Sequence, residues 1–101
     1  MIDDILAAEE RCGFKVEEGD VLLIRTGQLH RRNLEGPVDR SAGSTACQAS
    51  VLPLFYERRI AMMGSDTGND VGPAQYVKPA SPIHQVSITA MGIWILDNAD
   101  L

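Results

Sequence analysis

The stretch Gly19-Asp20-Val21-Leu22-Leu23-Ile24-Arg25-Thr26-Gly27 decides the fold class of this chain. Its centre is a continuous apolar run of four residues, bounded by Asp20 on one side and by Gly27 on the other. A run of this kind is typical of a strand that is buried on both faces, as the strands of parallel sheets are. The stretch therefore predicts one buried strand, and the segments around it indicate how that strand is covered.

Helical patterns lie on both sides of this strand. A helix over residues 4–12 is predicted before it, with Gly13 as its C-terminal stop. Apolar residues at helical spacing predict a second helix over about residues 44–58, with a kink or a break at Pro53. A third helix is predicted over about residues 83–91.

Two further apolar runs predict strands. Ile60-Ala61-Met62-Met63 forms the first and ends in a polar turn at residues 64–68. Ile93-Trp94-Ile95-Leu96 forms the second. The intervening polar stretches, residues 28–43 and 69–82, are predicted to be loops, and loops of such length are usually functional or mobile.

The order of these segments predicts the architecture. Helix and strand alternate three times, which indicates an α/β domain with a small mixed or parallel sheet. A single domain over residues 1–101 is the natural count for a chain of this length. The edges of so small a sheet are expected to be covered by another chain or domain.

Composition excludes several classes of protein. The chain is 45% hydrophobic and 23% charged, which is ordinary for a globular protein and argues against disorder. Its net charge is -5, whereas a nucleic-acid-binding protein usually shows a basic face. No apolar run is long enough to span a membrane, and the acidic start at residues 1–4 does not resemble a signal peptide. We therefore expect a cytoplasmic protein without nucleic-acid or membrane partners.

The two histidines and two cysteines form no recognisable metal motif. Cys12 and Cys47 are far apart, so no disulfide framework or zinc knuckle is predicted, and both are expected to be reduced. His30 and His84 are not joined by an HxxxH or HExxH spacing. Judged from composition alone, His84 at the start of a helix is more often a surface or capping residue than a ligand.

Two aspartates follow predicted strands, where α/β folds place functional groups. For Asp66 the favoured interpretation is structural, with its carboxylate accepting N–H bonds from its own turn, Ser65-Asp66-Thr67-Gly68. For Asp97 the plain alternative is an exposed turn residue before Asn98. No Gly-x-Ser-x-Gly elbow and no phosphate-binding loop occur.

Three blocks of sequence carry a family resemblance. The first is the opening stretch, which has the pattern GDxLLIRTG and is followed by Gln28. The second is Glu57-Arg58-Arg59-Ile60-Ala61-Met62-Met63-Gly64-Ser65-Asp66-Thr67. The third combines Pro82-Ile83-His84-Gln85-Val86, Ala90-Met91-Gly92-Ile93 and Leu96-Asp97-Asn98-Ala99-Asp100-Leu101. In this order and spacing the blocks resemble the C-terminal part of the cyclase family, the bacterial kynurenine formamidase-like hydrolases.

The resemblance implies an activity and a site. Family members are metal-dependent hydrolases that open amides or cyclic amides, have a swivelling β/β/α fold and usually form homo-oligomers. Their metal, zinc or manganese, activates a water molecule and polarises the carbonyl group. By resemblance, His84 matches a metal-ligating histidine and Asp97 matches an acidic ligand that is glutamate in many relatives. Asp66 and Gln28 are expected to line the site.

The chain departs from the family in its main metal motif. HxGTHxDxPxH, which carries most of the metal ligands in the family, does not occur in the sequence. One histidine and one carboxylate are too few for a catalytic zinc, which normally takes three protein ligands. The resemblance therefore implies a partial, truncated amidohydrolase that is inactive alone. Two alternatives stay open: a non-catalytic oligomerising or binding domain, and one half of a split enzyme whose complementary chain carries the motif.

Overall fold

The computed structural model describes residues 1–37, 39, 43–73, 78 and 80–101, and it confirms the predicted α/β class. Within these residues, the helices and strands follow one another as α1 (Ile2–Cys12), β1 (Val21–Ile24), α2 (Gln28–Glu35), α3 (Leu52–Arg58), β2 (Met62–Ser65), α4 (Pro82–Val86) and β3 (Trp94–Leu96). A 3₁₀ turn at Ala49–Val51 leads into α3. A π-helical turn at Ser87–Met91 continues α4. None of the described helices is both long and apolar enough to cross a lipid bilayer.

The three strands form one parallel sheet in the order β1-β2-β3. The central strand β2 pairs with both neighbours, so that Gly64 lies between Leu23 and Leu96. A Cβ atom at Gly64 would lie 3.0 Å from Leu23 Cδ2 and 3.0 Å from Leu96 Cβ. Glycine is therefore required at this position for the leucines of the outer strands to pack closely over the central strand.

One face of the sheet carries the hydrophobic core. Leu22 and Ile24 of β1, Met63 of β2 and Ile95 of β3 point towards it, and Met63 is fully buried. The helices and the connecting segments contribute the rest of the core, which comprises Ile5, Val16, Cys47, Val51, Leu52, Phe55, Ile60, Ile83 and Ile93. Aliphatic side chains and one phenylalanine thus supply the burial that holds this small domain together.

The opposite face of the sheet is apolar and open in the part of the chain that the structure describes. Val21 and Leu23 of β1 and Trp94 and Leu96 of β3 lie outside the core and are between 41% and 78% exposed. Parallel sheets usually have both faces covered, because their strands are apolar throughout. The sequence pattern of β1 predicted a strand buried on both faces. The strand is present, but the described residues cover only one of its faces, and Val21 and Leu23 are exposed on the other.

The predicted loop at residues 28–43 was wrong over its first half, which is the helix α2. None of the residues of α2 is buried, and its two apolar residues, Leu29 and Leu34, do not have the i, i+3 or i+4 spacing by which helices are predicted. Contacts of other kinds support it: Arg31 Nε donates to Glu35 Oε2 over 2.7 Å, one turn apart, and Asp66 binds N–H groups at its start. The remainder of the predicted loop lies partly outside the described residues.

The second predicted helix begins later than expected. The prediction placed its start near Ser44, but Ser44 and Cys47 instead form isolated bridges with Gly72 and Asp70. The helix α3 starts at Leu52, so that Pro53 lies in its first turn, where a missing N–H costs nothing. The predicted break at Pro53 therefore marks the beginning of the helix.

The second strand is shifted by two residues from its predicted position at residues 60–63. β2 runs over Met62–Ser65, so Gly64 and Ser65 belong to the strand and not to the predicted turn. Hydrophobicity located the centre of the strand, but the close approach of two neighbouring strands at Gly64 determined how far it extends. The first helix, its stop at Gly13 in a left-handed conformation (φ 72°), and the first and third strands agree with the predictions to within two residues.

An ion pair between Glu9 and Arg58 ties α1 to the end of α3. Arg58 donates to both carboxylate oxygens of Glu9, over 2.8 and 3.1 Å, and also to the carbonyl oxygen of Val16. Val16 N–H donates to Glu9 Oε2 over 2.5 Å. The hydrogen bond from Arg58, followed by that from Val16, lowers the pKa of Glu9 although its burial opposes this. Glu9 therefore stays ionised inside the fold.

Candidate functional site

A cleft of about 610 Å³ opens at the carboxyl ends of the strands. In parallel α/β sheets the residues that follow the strands converge at this edge. Here Asp66 follows β2 and Asp97 follows β3, and both line the cleft together with His84 of α4 and Gln28 of α2. The four residues selected from the sequence are thus brought to one place by the fold.

His84 lies between two carboxylates. Its Nδ1 atom is 2.5 Å from Asp70 Oδ2, and its Nε2 atom is 2.8 Å from Asp97 Oδ2. His84 is 14 residues from Asp70 and 13 from Asp97, so neither contact follows from local sequence. The imidazole ring is consequently held at both nitrogens, with Nδ1 towards the segment that follows β2 and Nε2 towards the end of β3.

Asp70 also organises the start of α4. Its Oδ1 atom accepts the N–H of Ile83 over 2.8 Å, and its Oδ2 atom accepts the N–H of His84 over 3.2 Å. These N–H groups lie in the first turn of the helix and have no partner within it. The same carboxylate therefore fixes the backbone and the ring of His84 together.

Asn69 fixes the other partner of the imidazole. Its side-chain amide donates to Asp97 Oδ1 over 2.7 Å and to the carbonyl oxygen of Leu96 over 2.9 Å. Asn69 is fully buried and has a left-handed backbone (φ 62°), a conformation that asparagine tolerates better than most residues. Asp97 is thus oriented on one oxygen by Asn69 and faces His84 with the other.

The two carboxylates change the electrostatics of His84. Burial by itself lowers the pKa of the ring, but the hydrogen bonds to Asp70 and Asp97 outweigh burial and raise the pKa above its usual value. An opposite charge within hydrogen-bond distance favours the protonated imidazole. When protonated, the His84 imidazolium donates one hydrogen bond to Asp70 and one to Asp97.

Asp66 has a structural role, although not the one predicted. It does not bind its own turn: its Oδ1 accepts from the N–H and hydroxyl of Thr26 over 2.8 Å each, and its Oδ2 accepts from the N–H groups of Gly27 and Leu29. Burial alone would raise the pKa of Asp66, but these hydrogen bonds together lower it. Asp66 lines the cleft, yet its oxygens are occupied in holding the connection between β1 and α2.

The family match completes this description. The cyclase family, described as "Putative cyclase", matches residues 1–69 of the chain. The chain belongs to the cyclase family. No curated protein and no solved structure matches it. The family match includes Asp66 and Gln28 but ends before Asp70, His84 and Asp97, so it does not assign the roles of these three residues.

The remaining residues of interest are not part of the His84 cluster. Gln28 receives a long hydrogen bond of 3.4 Å from Thr45 across the cleft. His30 is exposed on α2 and does not line the cleft. Cys47 is a buried free thiol whose pKa is raised to about 11, first by burial and then by Asp70, so it is not poised as a nucleophile. These residues carry no evident chemistry of their own.

The His84 cluster contains two of the donor types that metal ions use in proteins. His84 Nε2 and Asp97 Oδ2 are a nitrogen and an oxygen donor side by side, a set that suits zinc or manganese. Among the described residues, however, no group of three or more His, Cys, Asp or Glu side chains is arranged to hold a metal ion. The described part of the chain thus offers two donor side chains with oriented partners, and no third one is arranged beside them.

Sequence reasoning identified His84 and Asp97 but missed Asp70 and Asn69. Residues 69–82 were predicted to be a loop, and within it nothing distinguished these two polar residues from solvated ones. The available signal was their position: Asn69 lies four residues and Asp70 five residues after the end of the central strand, at the edge where functional groups collect. Spacing from the strand end would have selected them, whereas motif spacing did not.

Proposed function

We propose that this chain contributes half of a metal-dependent amide-hydrolysing site, with His84 and Asp97 as its two ligands, and that it is inactive alone. The observation that carries the proposal is the placement of His84 Nε2 and Asp97 Oδ2 at 2.8 Å from each other on a cleft, each held by a second residue behind it. Carboxylate–histidine pairs behind a ligating nitrogen are a recurrent feature of protein metal sites.

The chemistry follows from what each part supplies. When bound, zinc or manganese lowers the pKa of a water molecule and polarises the substrate carbonyl. The contribution of this chain is to present a nitrogen and an oxygen donor and a polar cleft, lined by Gln28, Ser44 and Thr45 among others. A cleft of about 610 Å³ is in the range that takes a small molecule. A formylated arylamine, as in kynurenine formamidase-like proteins, is the substrate class that we propose.

The missing ligands are proposed to come from a complementary polypeptide with the HxGTHxDxPxH motif. The ligand count supports this, because a catalytic zinc normally takes three protein ligands and, among the described residues, two such side chains converge at the cleft. The split-enzyme alternative and the partial-enzyme interpretation therefore share one prediction, namely that His84 and Asp97 bind a divalent cation weakly before any partner is added.

Metal titration tests this proposal. Isothermal titration calorimetry with Zn²⁺ and with Mn²⁺ is expected to show weak one-site binding that His84→Ala and Asp97→Ala each abolish. His30→Ala is the matched control, since His30 is exposed on α2 and is expected to leave the affinity unchanged. Hydrolysis of a formyl-arylamide by the metal-loaded chain is expected not to exceed that in buffer. Binding that survives both substitutions, or turnover by the chain alone, would contradict the proposal.

A second candidate function rests on the open face of the sheet. Val21, Leu23, Trp94 and Leu96 form an exposed apolar face without a charged residue, so a second copy of this chain could cover it without burying a charge. Sheets pack face to face in this manner at a spacing of about 10 Å. In this alternative the chain is a non-catalytic domain that self-associates through its sheet.

Light scattering after size-exclusion chromatography tests the alternative. A dimer that becomes monomeric in Trp94→Ser is expected if two copies meet through this face. Tyr56→Ser is the control, because Tyr56 is a similarly exposed aromatic residue (69% against 78% for Trp94) on the helix α3 and not on the sheet. A monomer at all concentrations, or a dimer that is indifferent to Trp94→Ser, would exclude self-association through the open face.

A further inference from the structure

We propose that Asp70 is a positioning residue: it keeps the proton on Nδ1 of His84 and leaves Nε2 as the nitrogen that faces the cleft. The inference rests on the proposed function only for its consequence, metal binding. The arrangement of the ring itself is a separate claim that can be tested in the protein without any metal.

The two carboxylates that contact His84 differ in distance and in exposure. Both ring nitrogens of His84 face a carboxylate oxygen, so a neutral ring has to give up one of two hydrogen bonds. The contact to Asp70 is shorter, 2.5 Å against 2.8 Å to Asp97. The Asp70 side chain is also less exposed, 13% against 40% for Asp97. A hydrogen bond that is shielded from water is the more costly of the two to lose.

The two carboxylates also differ in the hydrogen-bond partners that each keeps when its bond to the ring is lost. Asp97 keeps the amide of Asn69 as a donor on Oδ1, and its Oδ2 is open to water. Asp70 has its Oδ1 committed to the N–H of Ile83, and its Oδ2 is held against His84 by the backbone N–H of the same residue. Asp70 therefore cannot turn away from the ring, whereas Asp97 can.

The contacts of Asp70 also fix the orientation of the His84 ring. Because Asp70 binds both the backbone N–H and Nδ1 of His84, it defines the side-chain orientation as well as the tautomer. Nε2 then points towards Asp97 at the carboxyl end of β3, on the wall of the cleft. A ligating histidine whose other nitrogen donates to a carboxylate is held in this manner in many metal sites.

Nitrogen-15 NMR of the metal-free protein tests the inference directly. Long-range proton–nitrogen spectra at a pH where the ring is neutral report which nitrogen of each histidine carries the proton. The chain has only His30 and His84, and the exposed His30 is the second histidine against which the His84 signals are assigned in the same sample. His84 is expected to be the Nδ1–H tautomer. Finding His84 as the Nε2–H tautomer would overturn the inference, whatever the metal affinity.

A substitution sharpens the test. Asp70→Asn keeps the size of the side chain but removes its negative charge, so that of the two carboxylates only Asp97 still faces the ring. The ring is then expected to change to the Nε2–H tautomer. Asp66→Asn is the matched control, because Asp66 lines the same cleft without contacting His84 in the hydrogen bonds described, and it is expected to leave the tautomer unchanged. An unchanged tautomer in Asp70→Asn would contradict the positioning role.

Zinc affinity separates this inference from the proposed function. Asp70→Asn is expected to weaken Zn²⁺ binding by about 10- to 100-fold, as loss of a carboxylate behind a ligating histidine typically does. If His84 has the Nδ1–H tautomer and yet no Zn²⁺ binds, the proposed metal site fails while the positioning by Asp70 holds. If Zn²⁺ binds equally well to both proteins, Asp70 does not position the ligand.

Discussion

Two carboxylate–cation clusters in this molecule have the same donor–acceptor distance but differ in their exposure to solvent. Glu9 and Arg58 meet over 2.8 Å, and His84 and Asp97 also meet over 2.8 Å. The first pair is closed off, with side chains that are 7% and 22% exposed, and every oxygen of Glu9 is taken. The second pair is open to the cleft, at 29% and 40%. The donor–acceptor distance alone therefore does not distinguish a structural pair from a functional one. The exposure of the side chains and their unused hydrogen-bonding capacity do.

The largest expected effect is on stability at the closed cluster. Glu9→Ala should lower the free energy of unfolding by about 2–3 kcal/mol, because Val16 N–H and the guanidinium of Arg58 then lose their acceptor inside the fold. Urea denaturation followed by circular dichroism measures the change. The matched control is Glu18→Ala, whose partner Arg59 is the neighbour of Arg58 but is exposed, and it should cost less than about 1 kcal/mol. Equal effects of the two substitutions would mean that the burial of the Glu9–Arg58 pair does not increase its contribution to stability.

A smaller effect is expected from the structural carboxylate inside the cleft. Asp66→Ala should cost about 1–2 kcal/mol, since the N–H groups at the start of α2 lose their acceptor but can be rehydrated next to an exposed helix. The folded-state pKa of Asp66 is lowered, so its stabilisation is present above the unfolded-state pKa and disappears as the pH falls through the folded-state value. Asp20→Ala, which removes a carboxylate from an exposed turn, is the control. Denaturation curves at neutral and acidic pH measure this, and the difference in stability between Asp66→Ala and wild type should shrink at the acidic pH.

The smallest effect is expected at the open cluster. His84→Gln should change stability by less than about 1 kcal/mol, because the ring is accessible to water. The folded-state pKa of His84 is raised, so its stabilisation is complete below the unfolded-state pKa of about 6.5 and is lost as the pH rises through the folded-state value. Thermal unfolding at about pH 6 and about pH 9 measures this, and the difference from wild type should vanish at the higher pH. A larger effect at the higher pH would mean that His84 is buried as a neutral residue.

Much of the fold could be predicted from the sequence because it depends on hydrophobic runs and on helix stops. β1, β3 and α1 have continuous or periodic apolar patterns, and these determined their positions. The helix α2 could not be found in this way, because it buries no residue and depends on Asp66, 37 residues from Leu29. The residues at which β2 begins and ends could not be predicted from the sequence either, since they depend on the packing of Leu23 and Leu96 over Gly64.

The site shows the same division. By itself, the sequence determined the cyclase family resemblance, the α/β class and the candidates His84 and Asp97, because these depend on residue identity and order. Only the tertiary structure decided that Asp66 accepts hydrogen bonds from backbone N–H groups, and that Asp70 and Asn69 orient His84 and Asp97. It also decided that the described residues leave one face of the sheet exposed. The physical reason is that hydrogen-bond partners 13 to 40 residues apart are chosen by how strands and helices pack, and no local pattern encodes that choice.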